Sequence, residues 1–544
     1  MPTNNPYNPQ LHPETQPGAA QQQFPTPPTP PMPMMPPPRR GQPAAHTWQQ
    51  RMMRNYGMGM YAQLRKGELT IPDWLVGRPI VAFFVTLFAC WAAFGYVPGA
   101  DLALTACISI VLFFYVGYAM SRGWERANEK RFLRNVFLTG LFIRILWMLY
   151  CYFVFNPDHY ETTYGDGADV TWYMPFAQDL ARWVRDGFDV PFSEMRERWG
   201  SAIDDVGYPI WLAVGYLIWG EVSDVFMPLM LKCALGAYCA ICIYNVAKRH
   251  YGDGVARMAA IFVCINPNMI YWCSSMFKEA EMVFLCCLAV DNFDRVLTSG
   301  KQFTFQSLLP GVLAALALMF FRTALGLVVF LAVFAHIVMA SSRVMSMGKK
   351  ILAGVLVASV LLVSMGDRIR TQSQELLSAA QSDSQSKNME WRSQRVGGNS
   401  FAKYVTATVF APLIFTIPFP TFNQANEGQL LQIQLSGGYF IKNILSFFVV
   451  VVMLLLLVSG EWRKHVFILA YTVGYLMVLV MSSFAQSGRF HMPIWPMLML
   501  FAAYGVQIAK GNARLRRGFA IVLVVEIFAC IAWNWFKLKG RGMI

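Results

Sequence analysis

The chain has 544 residues, of which 56% are hydrophobic and 14% are charged, and its formal net charge is +14. Apolar runs of about 17 to 22 residues recur along it, each long enough to cross a bilayer core of about 30 Å. This composition excludes a set of soluble domains, and because Lys and Arg gather in short loops between the runs, it also excludes a nucleic-acid-binding surface.

We predict an all-α polytopic membrane protein with about 11–13 transmembrane helices, because lipid forces each spanning segment to pair its own backbone groups. The unbroken apolar runs favour helices over barrel strands, in which apolar and polar residues alternate. The first segment, 1–66, is instead rich in Pro and Gln and contains FPTPPTPPMPMMPPPRR. It lacks both a hydrophobic period and the basic-then-apolar start of a signal peptide, so we expect a disordered cytoplasmic tail there.

Residues 67–135 hold two predicted N-terminal spans, at about 79–97 and 102–120. The second is followed by SRGWERANEKRFLRN, whose five basic residues indicate a cytoplasmic turn. A third span, at about 136–155, is then expected to take the chain to the outer membrane face.

The third span opens a segment, 136–366, that we predict to be the catalytic membrane core. Its first external loop, 156–207, carries eleven acidic residues against four Arg. Within this loop, ADVTWYMPFAQDLARWVRDG has apolar residues at helical spacing, which predicts an amphipathic helix along the membrane surface. The run GYPIWLAVGYLIWG is too short to span comfortably and is predicted to be juxtamembrane.

A second external loop, 367–439, is predicted to be partly re-entrant, because its apolar part KYVTATVFAPLIFTIPFPTF is broken by Pro. Residues 440–544 hold the C-terminal spans. The remaining spans alternate in direction, with basic turns on the cytoplasmic side. They are expected at about 226–247, 255–272, 306–322, 325–342, 350–366, 440–459, 466–485, 490–509 and 519–536, with one more that begins near Glu279 and ends at Arg295.

Two carboxylates in the first external loop, Asp166 and Asp169, are candidates for chemistry. A carboxylate that is partly desolvated at a bilayer surface binds protons more tightly and can act as a general base. Two carboxylates three residues apart could instead hold a divalent cation. The plainer alternative is that they form a turn or cap a helix.

Further charged residues are predicted at the same membrane face. Lys278 and Glu279 stand at the outer end of a span, where charges are costly and often functional, although an interfacial salt bridge would also explain them. Arg322, Arg489 and His491 lie at outer span ends, against the positive-inside trend. A guanidinium fork suits a phosphate group, with lipid headgroup anchoring as the alternative.

Other sequence features point away from cytoplasmic chemistry. The chain has no phosphate-binding loop, no dinucleotide fingerprint and no HExxH motif. Almost all of its eleven Cys lie in apolar runs, and we interpret them as buried residues. We therefore predict no metal and no other cofactor. A divalent cation is the alternative. Asp291, His336 and Glu526 are read as buried, hydrogen-bonded residues.

The chain resembles the GT-C superfamily of integral-membrane glycosyltransferases, in particular the branch of protein O-mannosyltransferases and lipid A aminoarabinose transferases. Asp169, Tyr173 and Ala177 reproduce the Asp-x-x-x-Tyr-x-x-x-Ala pattern of the family's first external loop. GYPIWLAVGYLIWG is similar to the segment that closes that loop, and Glu279 is similar to the acid of the following hairpin. GRFHMPIWPMLMLFAAYG resembles the family's C-terminal Arg-aromatic-x-x-Pro span. Val170 stands where many members carry a second acid.

The resemblance implies a sugar donor linked to polyprenyl phosphate and a glycan, lipid or protein acceptor with a free hydroxyl. It implies that Asp169 deprotonates this hydroxyl, with Asp166 as a supporting carboxylate, in one inverting displacement. Arg322, Arg489 or Lys278 would stabilise the leaving phosphate. Glu279 would bind the sugar or orient a cation, and Tyr173 and His491 would contribute to substrate binding.

Two other functions compete with this reading. A polysaccharide polymerase or ligase with a lipid diphosphate donor would share the outer arginines and the large loop. A secondary transporter usually shows duplicated halves, and none is visible in this sequence. We expect an integral protein of a bacterial inner membrane, with the eukaryotic endoplasmic reticulum as the alternative. It should contact membrane lipid and have a cytoplasmic N-terminus and an external active site.

Overall fold

The computed structural model describes residues 70–95, 100–155, 168–199, 206–220, 225–299, 305–339, 411–422, 431–482 and 487–542, with the single residues 374, 390, 393, 394, 400 and 485. Within these ranges every regular element is a helix, which confirms the predicted all-α class. The predictions for the N-terminal tail, for the span at 350–366, for Asp166 and for most of the second loop lie outside the described residues.

The first six helices include the predicted amphipathic helix, here α4, and the short juxtamembrane run, here α6. A π-helical turn and a further helical piece, Gly117–Gly123, extend α2, and another π-helical turn follows α3. The helices are α1 (Asp73–Phe94), α2 (Ala100–Val111), α3 (Glu129–Tyr150), α4 (Ala168–Arg185), α5 (Phe192–Trp199) and α6 (Gly207–Trp219).

The rest of the described chain forms eleven helices, most of which coincide with predicted spans. They are α7 (Phe226–Tyr251), α8 (Asp253–Cys264), α9 (Pro267–Tyr271), α10 (Glu279–Thr298), α11 (Phe305–Phe321), α12 (Thr323–Met339), α13 (Leu431–Ser459), α14 (Val466–Met481), α15 (Gly488–His491), α16 (Trp495–Lys510) and α17 (Ala513–Lys539).

Seven helical stretches in the described ranges are long and apolar enough to cross a membrane, and an eighth is obtained if α8 and the bent segment after it count as one span. Four apolar helices, α6, α11, α12 and α14, are shorter than this length. Length and composition therefore support an integral, polytopic membrane protein.

Short turns with capping residues reverse the chain at one end of the bundle. Gly460 ends α13 with a φ of 73°, in the left-handed region that favours glycine. The side chain of Asn512 caps α17 by accepting a hydrogen bond from the backbone N–H of Arg514 at 2.9 Å. We call this the basic end. The opposite end, where α7 and α10 begin and α11 gives way to α12, we call the loop end.

Ion pairs tie the helices together at the basic end. Arg249 of α7 lies 2.7 Å from Asp291 and 2.6 Å from Asp294 of α10. His250 contacts Asp294 at 2.6 Å and His465 at 2.9 Å. Burial lowers the pKa of His465 to about 3, so this imidazole is neutral at pH 7. Asp291 is thus hydrogen-bonded, as predicted. The network joins α7 to α10 at the basic end, opposite the loop end.

A buried arginine supports a break in the path from α8 to α10. The guanidinium of Arg144, in α3, donates to the carbonyl of Cys264 at 2.8 Å, where α8 ends. The segment after α8 bends by 50°, and Asn266 caps α9 by accepting from the N–H of Met269 at 3.2 Å. Carbonyls freed at a break inside a membrane protein need such partners. The break brings the non-helical residues 275–278 to the loop end.

Candidate active site

A buried ion pair holds residues 275–278 against α7. Nζ of Lys232 lies 3.4 Å from Oε2 of Glu281, and both side chains are almost completely buried. The same ammonium donates to the carbonyl of Ser275 at 2.8 Å and to that of Phe277. A buried charge in a membrane protein requires partners of this kind. Lys232 therefore fixes the non-helical segment that leads into Lys278 and Glu279.

Glu279 begins α10 and pairs with an arginine that is distant in sequence. Its Oε1 lies 2.9 Å from Nε of Arg489, and the Glu279 side chain is fully buried while that of Arg489 is 20% exposed. The Arg489 guanidinium lies 4.9 Å from the ring centre of Phe277. The structure thus brings together two predicted site residues, in the salt bridge that the sequence left open as an alternative.

Arg322 occupies the junction between α11 and α12, close to Arg489. Its guanidinium lies 4.3 Å from the ring centre of Phe490. Its Nη1 is buried and has no hydrogen-bond partner among the described residues. A buried donor without a partner favours a bound acceptor at this position.

Helix α4 brings aromatic side chains to the same place. Nζ of Lys278 lies 5.6 Å from the ring centre of Tyr173, and the Tyr173 ring meets that of Tyr208 edge to face at 5.2 Å. Gly207 permits the approach of α6 to α11, since a Cβ there would lie 2.7 Å from the carbonyl carbon of Phe320. Lys232 lies 4.8 Å from the Tyr208 ring, which links α4 and α6 to the ion pairs.

The two loop carboxylates are located less fully. Asp169 is the second residue of α4, four positions before Tyr173, so these positions share one face of the helix. Ala177, one turn further along, is completely buried. The spacing of the Asp-x-x-x-Tyr-x-x-x-Ala pattern is therefore helical, and position 169 lies one turn before Tyr173.

His491 differs from the other predicted substrate-binding residues. It is fully buried, its Nδ1 lies 3.4 Å from Nζ of Lys442, and its Nε2 lies 2.7 Å from the carbonyl oxygen of Ala485. Both ring nitrogens thus have protein partners. His491 is near Arg489 in the chain, but its imidazole contacts α13 and Ala485, and within the described residues it has no hydrogen bond to Glu279 or Arg322.

Sequence reasoning missed Lys232, Glu281 and Tyr208. Lys232 is a single cation inside the otherwise apolar run 226–247, and a lone intramembrane charge is a signal that could have identified it. Glu281 lies two residues after Glu279, and Tyr208 lies in the predicted juxtamembrane run. Neither has a local pattern that separates it from ordinary packing residues.

The described part of the site carries more positive than negative charge. The cations Lys232, Lys278, Arg322 and Arg489 stand against the carboxylates of Glu279 and Glu281. Within the described ranges, no group of three or more His, Cys, Asp or Glu is placed to hold a metal ion. A cationic excess in a weakly hydrated place suits an anionic group such as a phosphate.

The sequence comparisons agree with this chemistry. Residues 201–369 match the profile of the Alg9-like mannosyltransferase family. This stretch contains Lys232, Glu279 and Arg322, but neither Asp169 nor Arg489. No curated protein and no solved structure gives a significant match. The narrower likeness to protein O-mannosyltransferases and aminoarabinose transferases stays a prediction. Its membrane-crossing helices and its partial match to a family of GT-C glycosyltransferases indicate that the chain is a membrane glycosyltransferase.

Proposed function

We propose that the protein transfers a mannosyl residue from a polyprenyl-phosphate donor to a hydroxyl group of a glycan, lipid or protein acceptor. The observation that carries this proposal is the set of four cations against two buried glutamates around Lys278 and Glu279, with Nη1 of Arg322 buried and without a hydrogen-bond partner among the described residues. A phosphate joined to a lipid tail is an anion that has to stay at the membrane, and these cations sit where apolar helices end. The mannosyl group is suggested by the matched family.

In the proposed reaction, the carboxylate of Asp169 takes the proton of the acceptor hydroxyl. The acceptor oxygen attacks the anomeric carbon while the bond from that carbon to the phosphate oxygen breaks. The polyprenyl phosphate leaves with the electron pair, and the configuration at the anomeric carbon inverts. A single displacement of this kind needs the base and the leaving group on opposite sides of the sugar.

The cations have separate roles in this proposal. Arg322 and Arg489 stabilise the negative charge that develops on the leaving phosphate, because their guanidinium groups are held in place by Phe490 and Glu279 before the reaction begins. Glu279 orients Arg489. Lys278, near Tyr173, lies at the side of the site that α4 covers. Lys232 pairs with Glu281 and donates to two carbonyls, so its role is to stabilise the structure around the site.

The site is proposed to face the outside of the cell, with the basic end in the cytoplasm. A cysteine at Asp186, exposed after α4, should react with a membrane-impermeant maleimide in intact cells. One at Arg463, exposed in the basic turn after α13, should react only after the membrane is opened. The native cysteines give little background because all except Cys107 are buried. Labelling of the Arg463 variant in intact cells would contradict this orientation.

The donor is tested by reconstituting the protein in liposomes with polyprenyl-phosphate mannose and measuring the release of polyprenyl phosphate. Arg322→Gln should lower kcat about 10²-fold, the usual cost of removing one donor that stabilises a developing charge. Arg122→Gln is the matched control, because Arg122 forms an exposed ion pair with Asp73 and should leave kcat unchanged. Turnover of a diphosphate-linked oligosaccharide alone would favour the polymerase or ligase alternative, and a parent enzyme that releases no phosphate would refute the proposal.

A further inference from the structure

The Pro-containing segment 411–422 is held between α13 and α17 by side chains that bond its backbone. Asn443 donates to the carbonyl of Pro418 at 3.3 Å, and Ser446 donates to that of Phe415. Asn534 of α17 donates to the carbonyl of Pro420 at 3.1 Å and accepts from the N–H of Phe422 at 2.8 Å. Non-helical backbone inside a membrane protein requires this kind of pairing. The segment is therefore a fixed part of the bundle.

Lys442 of α13 belongs to this set but also reaches a second partner. Its ammonium donates to the carbonyl of Ile417 and lies 3.4 Å from Nδ1 of His491. An ammonium group can only donate, so Nδ1 of His491 accepts and the ring proton resides on Nε2. That N–H then donates to the carbonyl of Ala485 at 2.7 Å. One tautomer of a neutral His491 satisfies both contacts.

These contacts close the turn that carries Arg489. Helix α15, Gly488–His491, has four residues, too few to hold their conformation without tertiary support. His491 ties the end of this helix to Ala485 before it and to α13 beside it. Gly488 packs closely against the same face of α13, since a Cβ at this position would lie 2.3 Å from the hydroxyl of Tyr439 in α13. Arg489 lies between these two anchored residues.

We propose that Lys442 and His491 are positioning residues that set the guanidinium of Arg489 against Glu279 and the donor phosphate. This inference rests on the proposed function for its link to phosphate. The Pro-containing segment thereby has a role in catalysis, because the ammonium of Lys442 contacts both the carbonyl of Ile417 and the ring of His491. His491 acts through Arg489 and does not touch the substrate.

A double-mutant cycle tests the proposal with the full-length protein. Lys442→Met should lower kcat about 10- to 100-fold with KM changed by less than about threefold, because the misplaced group acts on the leaving phosphate. In an Arg489→Gln background the effect of Lys442→Met should fall below about threefold. Arg322→Gln is not an independent background, because the Arg322 guanidinium stacks on Phe490 of the same short helix. An effect of Lys442→Met in the Arg489→Gln background as large as its effect in the parent would overturn the proposal.

Asn534→Ala is the matched control, since it removes two contacts to the same segment but none to His491. It should lower the Tm while kcat stays within about threefold of the parent. A loss of kcat as large as that of Lys442→Met would mean that the stability of the segment, and not the position of Arg489, is responsible. If Lys442→Met does not fold, His491→Gln replaces it and should show the same dependence on Arg489.

The cycle also separates this inference from the proposed function. If the parent protein consumes no lipid-linked sugar, the proposed function fails, and the same variants are then compared by thermal unfolding. Lys442→Met and Arg489→Gln should change the Tm by less together than the sum of their separate effects, whereas the effects of Lys442→Met and Arg122→Gln should add, because Arg122 pairs only with the exposed Asp73 among these residues. Additive changes for the first pair would refute the positioning role as well.

Discussion

Replacing Asp169 with Asn should lower kcat for sugar transfer by about 10²- to 10⁴-fold, the range that a positioned general base contributes. The amide keeps the size of the carboxylate but cannot take the acceptor proton. KM for the donor should change little, because the proposed donor contacts belong to Arg322 and Arg489. The measurement is the release of polyprenyl phosphate, with saturating donor and varied acceptor for kcat and with saturating acceptor and varied donor for the donor KM.

Asp179→Asn provides the matched control on the same helix. Asp179 lies in α4 and pairs with Arg182 at 3.3 Å, away from the face shared by Asp169, Tyr173 and Ala177. Its replacement should leave kcat within about twofold, because an ion pair with a largely exposed arginine contributes little. Asp166→Asn should have an effect between those of the other two variants. Full activity of Asp169→Asn would exclude Asp169 as the base, and the mechanism would then require another carboxylate.

The sequence allowed the membrane class and the positions of most helices to be predicted, because long apolar runs depend on composition alone. The helical spacing of the apolar residues in ADVTWYMPFAQDLARWVRDG also led to a correct helix, since this periodicity is a local property. Glu279 and Arg489 were expected at the same face from span counting, and the structure pairs them. Span counting gives the depth of each residue in the membrane. It can group residues at equal depth, but it does not tell which of them are in contact.

Contacts within the site depend on rotations and breaks that the sequence pattern does not contain. Lys232 and Glu281 meet because the chain breaks after Cys264 and returns through residues 275–278, and that break is stabilised by Arg144 from another helix. His491 has the same depth as Arg489, which made it a reasonable candidate for substrate binding. Its direction toward Lys442 follows from a one-turn helix, and hydropathy carries no information on that direction.

The Pro-containing segment is another case in which the sequence pattern did not predict the contacts. Its sequence excluded a regular span, and its interpretation as re-entrant or surface-lying followed from Pro alone. The partners that allow its backbone to be buried, such as Asn443 and Asn534, are isolated polar residues in separate apolar helices. Their common contact with one segment gives these polar residues hydrogen-bond partners inside apolar helices.

The largest effect on stability should come from Lys232→Met. Lys232 and Glu281 are 0% and 3% exposed, so the variant leaves a carboxylate buried without its cation. It also leaves the carbonyls of Ser275 and Phe277 without their donor. Removing one partner of a buried pair costs about 3–5 kcal/mol. The free energy of unfolding in detergent should fall by about that amount, and kcat should fall too, because residues 275–278 lead into Lys278 and Glu279.

Glu281→Gln should be milder, since Lys232 keeps two carbonyl acceptors and a neutral amide replaces the carboxylate. The double variant Lys232→Met, Glu281→Met should recover at least half of the stability lost in Lys232→Met, because no uncompensated charge then remains buried. The recovery should not extend to kcat, since the carbonyls that hold residues 275–278 still lack their donor. A double variant as unstable as Lys232→Met would show that the lost carbonyl contacts, and not the unpaired Glu281, dominate the cost.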